Sequence, residues 1–236
     1  MLDTLFYSPD ILTSSLLPET ESHHCVKVLR MRNGDLLTAT DGKGSFYKCT
    51  LVNANPKHSV VSIINKIDVK QSRNFILHIA FAPTKQMDRN EWFVEKATEI
   101  GIDRFSPIIS NYSERKEIKF ERLTKTAISA MKQSQQPFLP QIDETISFND
   151  FIKLPFNVNK YIAHCYETPK TPLTQTYKKG ENALILIGPE GDFSEEEVER
   201  AINSGFKPIS LGESRLRTET ASLVATHTIH VINSLS

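Results

Sequence analysis

The chain has 236 residues, and its 28 lysines and arginines equal its 28 aspartates and glutamates. That length holds one large domain, or a small one and a medium one, and the balanced charge excludes a global positive field, so any nucleic-acid site must be a local patch. Cys25, Cys49 and Cys165 are far apart, odd in number and without a CxxC pair, which reads as reduced thiols in a cytoplasmic protein, with no zinc site and no disulfide.

Along the chain the pattern changes near residue 70. Before it, short apolar stretches alternate with turn pairs (Asn33 with Gly34, Asp41 with Gly42, Lys43 with Gly44, Asn55 with Pro56), the pattern of a small antiparallel barrel or sheet. Val69 to Asn74 reads as a linker. Phe75 to Phe81 then reads as a strand, and Asp88 with Glu91 as a capping box. Trp92, Phe93 and Ile100 fall on one face of the helix that follows, and Gly101 stops it. Trp92 is expected in the core, stacking on an RNA base being its other reading. Arg104 to Ser110 is the next strand, Phe120 to Gln135 the next helix, and Tyr161 to Cys165 a further buried strand. This alternation predicts an α/β fold, a parallel sheet with helices on both sides. No apolar stretch is long enough to span a membrane, and the amino terminus lacks a secretion signal.

The densest signals lie between Ala183 and Thr220. Leu184 to Ile187 form a continuous apolar strand, and Gly188, Pro189 and Gly191 force a turn. Ser194 and Glu197 make a capping box and Phe193 with Val198 a hydrophobic staple, so a helix starts at Glu195 and ends near Gly205. The loop and first turn carry Glu190, Asp192, Glu195, Glu196 and Glu197, with no basic residue before Arg200, which argues against a triphosphate. They suit a ligand without phosphate that bears positive charge, such as S-adenosylmethionine; a plain strand-to-helix turn with a solvated acidic face is the other reading. Pro208 to Leu211 read as a strand broken by Gly212. Thr218 is placed to cap a helix reaching Leu235, with Ala221, Val224, Ala225, Thr228, Val231, Ile232 and Leu235 on its core face. Arg215 and Arg217 stand just before that cap, where a guanidinium and a free helix start can face one ligand.

GPEGDFSEEEVERA, followed by LG and LRTETA, resembles the carboxy-terminal signature of the RsmE family, uridine-N3 methyltransferases of small-subunit ribosomal RNA in the knotted SPOUT class. HHCVKVLRMRNGD and DGKGSFY are similar to that family's amino-terminal domain, and KQMDRNEWFVEKATEIGIDRFSPIIS to the start of its catalytic domain. The resemblance implies a PUA-like β-barrel over residues 1–70 and, over 74–236, a SPOUT domain whose carboxy-terminal trefoil knot binds S-adenosyl-L-methionine. Carried onto this sequence, the cofactor site has one wall at His164 to Glu167, with His164 as its named residue; Ile187, Gly188, Glu190 and Gly191 in the next; and Leu211, Gly212, Leu216, Arg217 and Thr218 in the third. A side chain at Gly191 is expected to fill the loop.

The chemistry implied is removal of the weakly acidic N3 proton of uracil beside a sulfonium methyl group. Arg217 is the first catalytic candidate, as the cation that stabilises the developing uracil anion. Glu219 and Glu190 are possible bases, each equally readable as a helix-start carboxylate. The implied partners are 16S ribosomal RNA, within the small subunit, and a second copy in a homodimer. RNA contacts are expected from Lys27, Arg30 and Arg32 in the first domain and from Lys85, Arg89 and Arg115 in the second, with Gln133 and Ser134 as further candidates. Four positions depart from the family pattern: Ser214 for an arginine, Asp192 for a glycine, Lys132 for a glutamate and Gln136 for an arginine. Two other readings stay open: a catalytically idle RNA-binding assembly factor with the same fold, and a knotted enzyme acting on transfer RNA. His23 with His24, and His227 with His230, have metal-compatible spacing but no third ligand nearby, so no metal is expected.

Overall fold

The computed structural model describes residues 4–71 and 73–235. The chain divides into two compact units, Met1–Ser72 with Ile128–Leu139, and Arg73–Ala127 with Pro140–Ser236.

In the first unit β1 (Leu5–Tyr7) leads through α1 (Ile11–Ser14) and α2 (Glu19–His23) to β2 (Leu36–Thr40), β3 (Ser45–Asn53) and β4 (Val60–Asp68). The sheet order is β1-β2-β3-β4, with β1 parallel to β2 and the other pairs antiparallel. Along β3 the period of two turns Ser45, Tyr47, Cys49 and Leu51 inward, where they join Phe6, Ile11, Leu37 and Val61. Cys25 and Cys49 are therefore core residues, and burial raises the Cys49 thiol to about 11. After α2 one π-helical turn, His24–Val28, and a left-handed Arg30 at φ 56° carry Lys27, Arg30 and Arg32 onto exposed surface.

The same unit explains one departure from the family pattern. Lys132 Nζ donates to both carboxylate oxygens of Glu21, at 2.6 and 2.8 Å, and the Glu21 side chain is only 9% exposed. Removing one partner strands the other charge, so Lys132→Met should cost about 3 kcal/mol. Urea unfolding measures this, and a loss below 1 kcal/mol would contradict it.

The second unit follows chain order as β5 (Leu77–Phe81), α3 (Met87–Ile100), β6 (Arg104–Ile109), the first part of α4 (Phe120–Gln133), whose residues from Ile128 on belong to the first unit, β7 (Gln141–Ile142), β8 (Ile146–Ser147), α5 (Phe148–Phe151), β9 (Asn159–Ala163), β10 (Thr171–Pro172), α6 (Leu173–Thr176), β11 (Ala183–Ile187), α7 (Glu195–Asn203), β12 (Lys207–Ser210) and α8 (Thr218–Ser234). Every strand pair is parallel, in the order β10-β12-β9-β11-β5-β6-β7, with β8 on β6. At the centre β5 and β11 are buried along their whole length, as continuous apolar runs require between two helical layers. The order sets the ends of β9, β11 and β12 side by side.

Three local expectations are corrected. No capping box forms at Asp88 and Glu91: Gln86 is the N-cap of α3 without a side-chain bond, because Glu91 pairs with the Arg122 guanidinium, at 2.7 Å from Nη2. Asn90 orders that turn instead, accepting from Thr84 N at 2.8 Å and donating to Thr84 O at 3.0 Å. Trp92 is 41% exposed and not a core residue. On α8 the buried face is Thr218, Glu219, Ser222, Ala225, Thr226 and Ile229, while Val231 and Leu235 stay 40% and 60% exposed. Small residues let α8 lie close on α3, β5 and β11, and Thr226 returns its hydroxyl to Ser222 O.

A buried histidine sets an acid limit on this unit. His78 Nε2 lies 2.7 Å from Ser106 Oγ, Ser106 donates to Asp143, and the Phe151 and Phe156 rings meet the imidazole edge-on. Burial, aided by Arg104 and opposed by Asp143, pushes the ring from 6.5 down to about 3. A folded value below the unfolded one gives stability complete above pH 6.5 and lost as pH falls toward 3. His164 and His230 are also lowered, chiefly by burial, and act in the same direction. Stability should therefore drop by at least about 1.4 kcal/mol per pH unit below pH 6. A urea midpoint unchanged between pH 6.5 and 4.5 would refute this.

Candidate functional site

Three loops meet above the ends of β9, β11 and β12. The central one, residues 188–194, is anchored by the helix it starts. Ser194 Oγ accepts from Glu197 N at 3.2 Å, and Glu197 Oε2 accepts from Ser194 N at 2.9 Å, the capping box the sequence predicts. Glu197 Oε1 also accepts from Asn111 N at 2.9 Å, so the box ties the loop after β6 to α7. Phe193 is buried as the staple requires.

The central loop in turn holds its neighbours. Thr218 Oγ1 donates to Gly188 O at 2.9 Å; Thr218 is the first residue of α8, with Arg217 at the N-cap position, so its hydroxyl ties two loops instead of capping the helix. Asp192 sits at φ 67° and its Oδ2 accepts from Cys165 N at 2.7 Å. Tyr166 donates to Phe193 O at 2.7 Å, and Glu190 Oε1 accepts from Lys85 N at 3.1 Å.

Between the loops lies a cavity of about 740 Å³, within the range that takes a small-molecule cofactor. His164 lines it from the loop after β9. Ile187, Gly188 and Glu190 line it from the loop after β11, and Leu211, Gly212, Leu216, Arg217 and Thr218 from the loop after β12. Gly191 is outside this lining: a Cβ built there would meet Tyr112 Cβ at 3.1 Å, so a side chain would press on Tyr112 and not fill the cavity. Glu219 also lies outside it, buried beside Arg89, whose Nε is 3.7 Å from its Oε1.

Charges on the cavity wall balance: Glu190, Asp192 and Glu213 against Lys170, Arg215 and Arg217. Arg217 is exposed, and no ion pair joins it to another described residue. His164 is 7% exposed, and neither ring nitrogen has a partner among the described residues. Cys165 falls within the wall His164 to Glu167 that the resemblance implies, whereas Asp192 and Lys170 are wall residues that the sequence reading did not assign to the cofactor. Asp192 was visible as one of the acidic residues of the loop and as a departure from a glycine, and nothing local marks Lys170.

The expected RNA residues fall into two groups. Lys27, Arg30, Arg32 and Gln133 are exposed on the first unit, where Ser134 bonds back to Ala130 O at 2.7 Å. On the second unit the cations are engaged: Lys85 with Glu114 at 2.9 Å, Arg89 with Glu219, and Arg115 Nε with Thr84 O at 3.0 Å. Among the described residues no cluster of three or more His, Cys, Asp or Glu could hold a metal, and no helix is long and apolar enough to cross a membrane.

A parallel α/β sheet with a cavity walled by three loops at its strand ends defines a ligand-binding domain, and residues 71–230 match the family model described as RNA methyltransferase domain. Residues 17–64 match that of an RNA methyltransferase PUA domain. The chain belongs to the family of ribosomal RNA small subunit methyltransferase E. A relative of that name from Buchnera aphidicola subsp. Acyrthosiphon pisum is 30% identical over 220 residues, covering 89% of this chain and 84% of that one. The solved structure of a probable rRNA-methyltransferase from Porphyromonas gingivalis is 46% identical with a TM-score of 0.92, covering 98% of both chains. That of a ribosomal RNA small subunit methyltransferase E from Neisseria gonorrhoeae, bound to S-adenosyl methionine, is 25% identical with a TM-score of 0.86, also over 98% of both.

Proposed function

We propose that this chain transfers a methyl group from S-adenosylmethionine to N3 of a uridine in 16S ribosomal RNA. The observation that carries this is the cavity itself: three loops rich in backbone polar groups, a buried imidazole without a partner, and an unpaired guanidinium at one wall. These groups fit S-adenosylmethionine, whose adenine and amino-acid ends need hydrogen-bond partners and whose sulfonium tolerates the carboxylates Glu190 and Asp192. When bound, it supplies an electrophilic methyl group. Arg217 then stabilises negative charge on a uracil oxygen as the N3 proton leaves. Of the two candidate bases, Glu190 is on the cavity wall and takes this proton, whereas Glu219 faces Arg89.

The first domain, residues 1–70, serves as an RNA-binding module through Lys27, Arg30 and Arg32, and residues 74–236 form the catalytic domain. Phosphate contacts of this kind add salt-dependent affinity without reading sequence. A homodimer is supported by the exposed apolar residues Val231 of α8 and Leu235 just after it. A knot is supported by the return of the chain: after β12 docks on the far side of β9, α8 comes back to pack on β5 and β11.

The test is transfer of tritiated methyl from S-adenosylmethionine into unmodified small ribosomal subunits and, in parallel, into their extracted RNA, followed by nucleoside analysis. Label in 3-methyluridine is the expected result. Label in another nucleoside would overturn the position, and absence of label with retained RNA binding would favour an idle assembly factor.

A further inference from the structure

We infer that Tyr112 is a stacking platform for an unpaired base of the substrate RNA at the rim of the cavity. The inference rests on the RNA methyl-transfer reading above and adds a residue that neither the resemblance nor the cavity lining assigns. Tyr112 is 54% exposed, and its side chain lies directly on Gly191: a Cβ built at Gly191 would meet Tyr112 Cβ at 3.1 Å, Cγ at 3.7 Å and Cδ2 at 3.9 Å. Gly191 belongs to the loop whose Pro189, Glu190 and Asp192 line the cavity, so the ring stands one residue outside the wall. Among the described residues no hydrogen bond engages its hydroxyl, whereas the Tyr166 hydroxyl is committed to Phe193 O at 2.7 Å.

The ring is carried on a closed turn. Ser113 N donates to Ser110 O at 3.1 Å and Ser110 N to Ser113 Oγ at 3.0 Å, which shuts the turn on itself. Asn111 N donates to Glu197 Oε1 at 2.9 Å and Asn111 Nδ2 to Ser194 Oγ at 3.1 Å, which pins it to the start of α7. Just beyond the turn stand two cations: Lys85 pairs with Glu114, and Arg115 Nε donates to Lys85 O at 3.2 Å, while Lys85 N holds Glu190 on the cavity wall. An exposed aromatic face on fixed backbone, beside cations, is what an RNA site uses where bases leave their stack. N3 lies on the pairing edge of uracil, so the target enters the cavity only unpaired and turned out of its stack, and its neighbours lose a stacking partner. The Tyr112 ring replaces that partner. Packing on Gly191 alone does not require tyrosine, because leucine has its own Cβ, Cγ and Cδ2.

The experiment compares the full-length wild type with Tyr112→Phe, Tyr112→Leu and Tyr112→Ala. It measures kcat and KM for methyl transfer from S-adenosylmethionine into unmodified small ribosomal subunits or their extracted RNA, whichever the wild type labels. Calorimetric affinity for S-adenosylmethionine and the melting temperature are read alongside. Tyr112→Leu keeps the packing on Gly191 and loses the π face, so kcat/KM for the RNA substrate should fall about 5- to 100-fold, mainly through KM, the usual worth of one stacked base. Tyr112→Ala should lose at least as much, and Tyr112→Phe should stay within about twofold of the wild type, because the ring and not the hydroxyl stacks. Cofactor affinity and melting temperature should hold in Tyr112→Leu. Wild-type kinetics in Tyr112→Leu, beside a wild type that methylates RNA, would overturn this inference alone. A fall in cofactor affinity or melting temperature in step with the rate would overturn it too, by making Tyr112 a support of the central loop. A wild type that methylates no RNA would overturn the methyl-transfer reading and this inference with it.

Discussion

Arg217→Ala should slow methyl transfer by about 10²- to 10³-fold, the usual loss when a preorganised donor to a developing anion is removed. Cofactor affinity should stay within about threefold. The two effects separate because the position has two parts. The backbone of Arg217 is the N-cap of α8, and its carbonyl accepts from Ala221 N at 2.7 Å, an arrangement alanine keeps. The side chain is exposed, and no ion pair joins it to another described residue, so removing it strands no protein charge and leaves no buried void. What disappears is a cation at the cavity wall, where charge develops only as uracil N3 loses its proton. Arg217→Lys keeps the charge without the planar fork and should recover part of the rate. Single-turnover transfer into small subunits, read beside calorimetric cofactor binding, checks both numbers. Unchanged turnover would remove Arg217 from the chemistry, and a parallel collapse of cofactor affinity would make it a binding residue.

Gly188→Val should abolish measurable cofactor binding, at least about 100-fold, while the fold survives. Gly188 lines the cavity at the end of β11 and gives its carbonyl to Thr218. A Cβ there would sit 3.1 Å from Phe193 N and 3.2 Å from both Asp192 C and Asp192 Oδ1. Two of those neighbours are backbone, and the third is the carboxylate that holds Cys165, so none can move without disturbing a wall of the cavity. Valine adds two methyl groups to that contact, and overpacking of this kind costs about 1–3 kcal/mol in strain before the geometry of the site is counted. Gly191 is the contrasting case, because its nearest neighbour is the exposed side chain of Tyr112. Gly191→Ala should therefore weaken binding only severalfold. Equal effects at the two glycines would mean that the central loop responds as one body, contrary to the contacts described.

Signals carried by near neighbours in the chain were legible. The capping box of α7 joins residues three apart, the apolar run of β11 needs only a buried slot, and Gly101 stops α3 at φ 112° by its own conformational freedom. The motifs GPEGDF and LRTETA fall on cavity loops because loops at the ends of adjacent parallel strands converge. Where a residue's best partner lies far along the chain, local rules gave the wrong answer or none. Glu91 left its expected cap for Arg122, 31 residues on; Thr218 bonded Gly188 across 30 residues; and Asp192 reached Cys165 across 27. The α8 face turned for a related reason: contact with α3 and the sheet selected small side chains that fit closely over the larger apolar ones at Val231 and Leu235.

The sequence by itself therefore determined the longer elements of the second unit, their alternation and the loops that carry the site. The tertiary structure alone decided which side chains face the cavity. That choice depends on the strand order, which sets β9 between β11 and β12, and a strand order is a property of long-range pairing that no local pattern encodes.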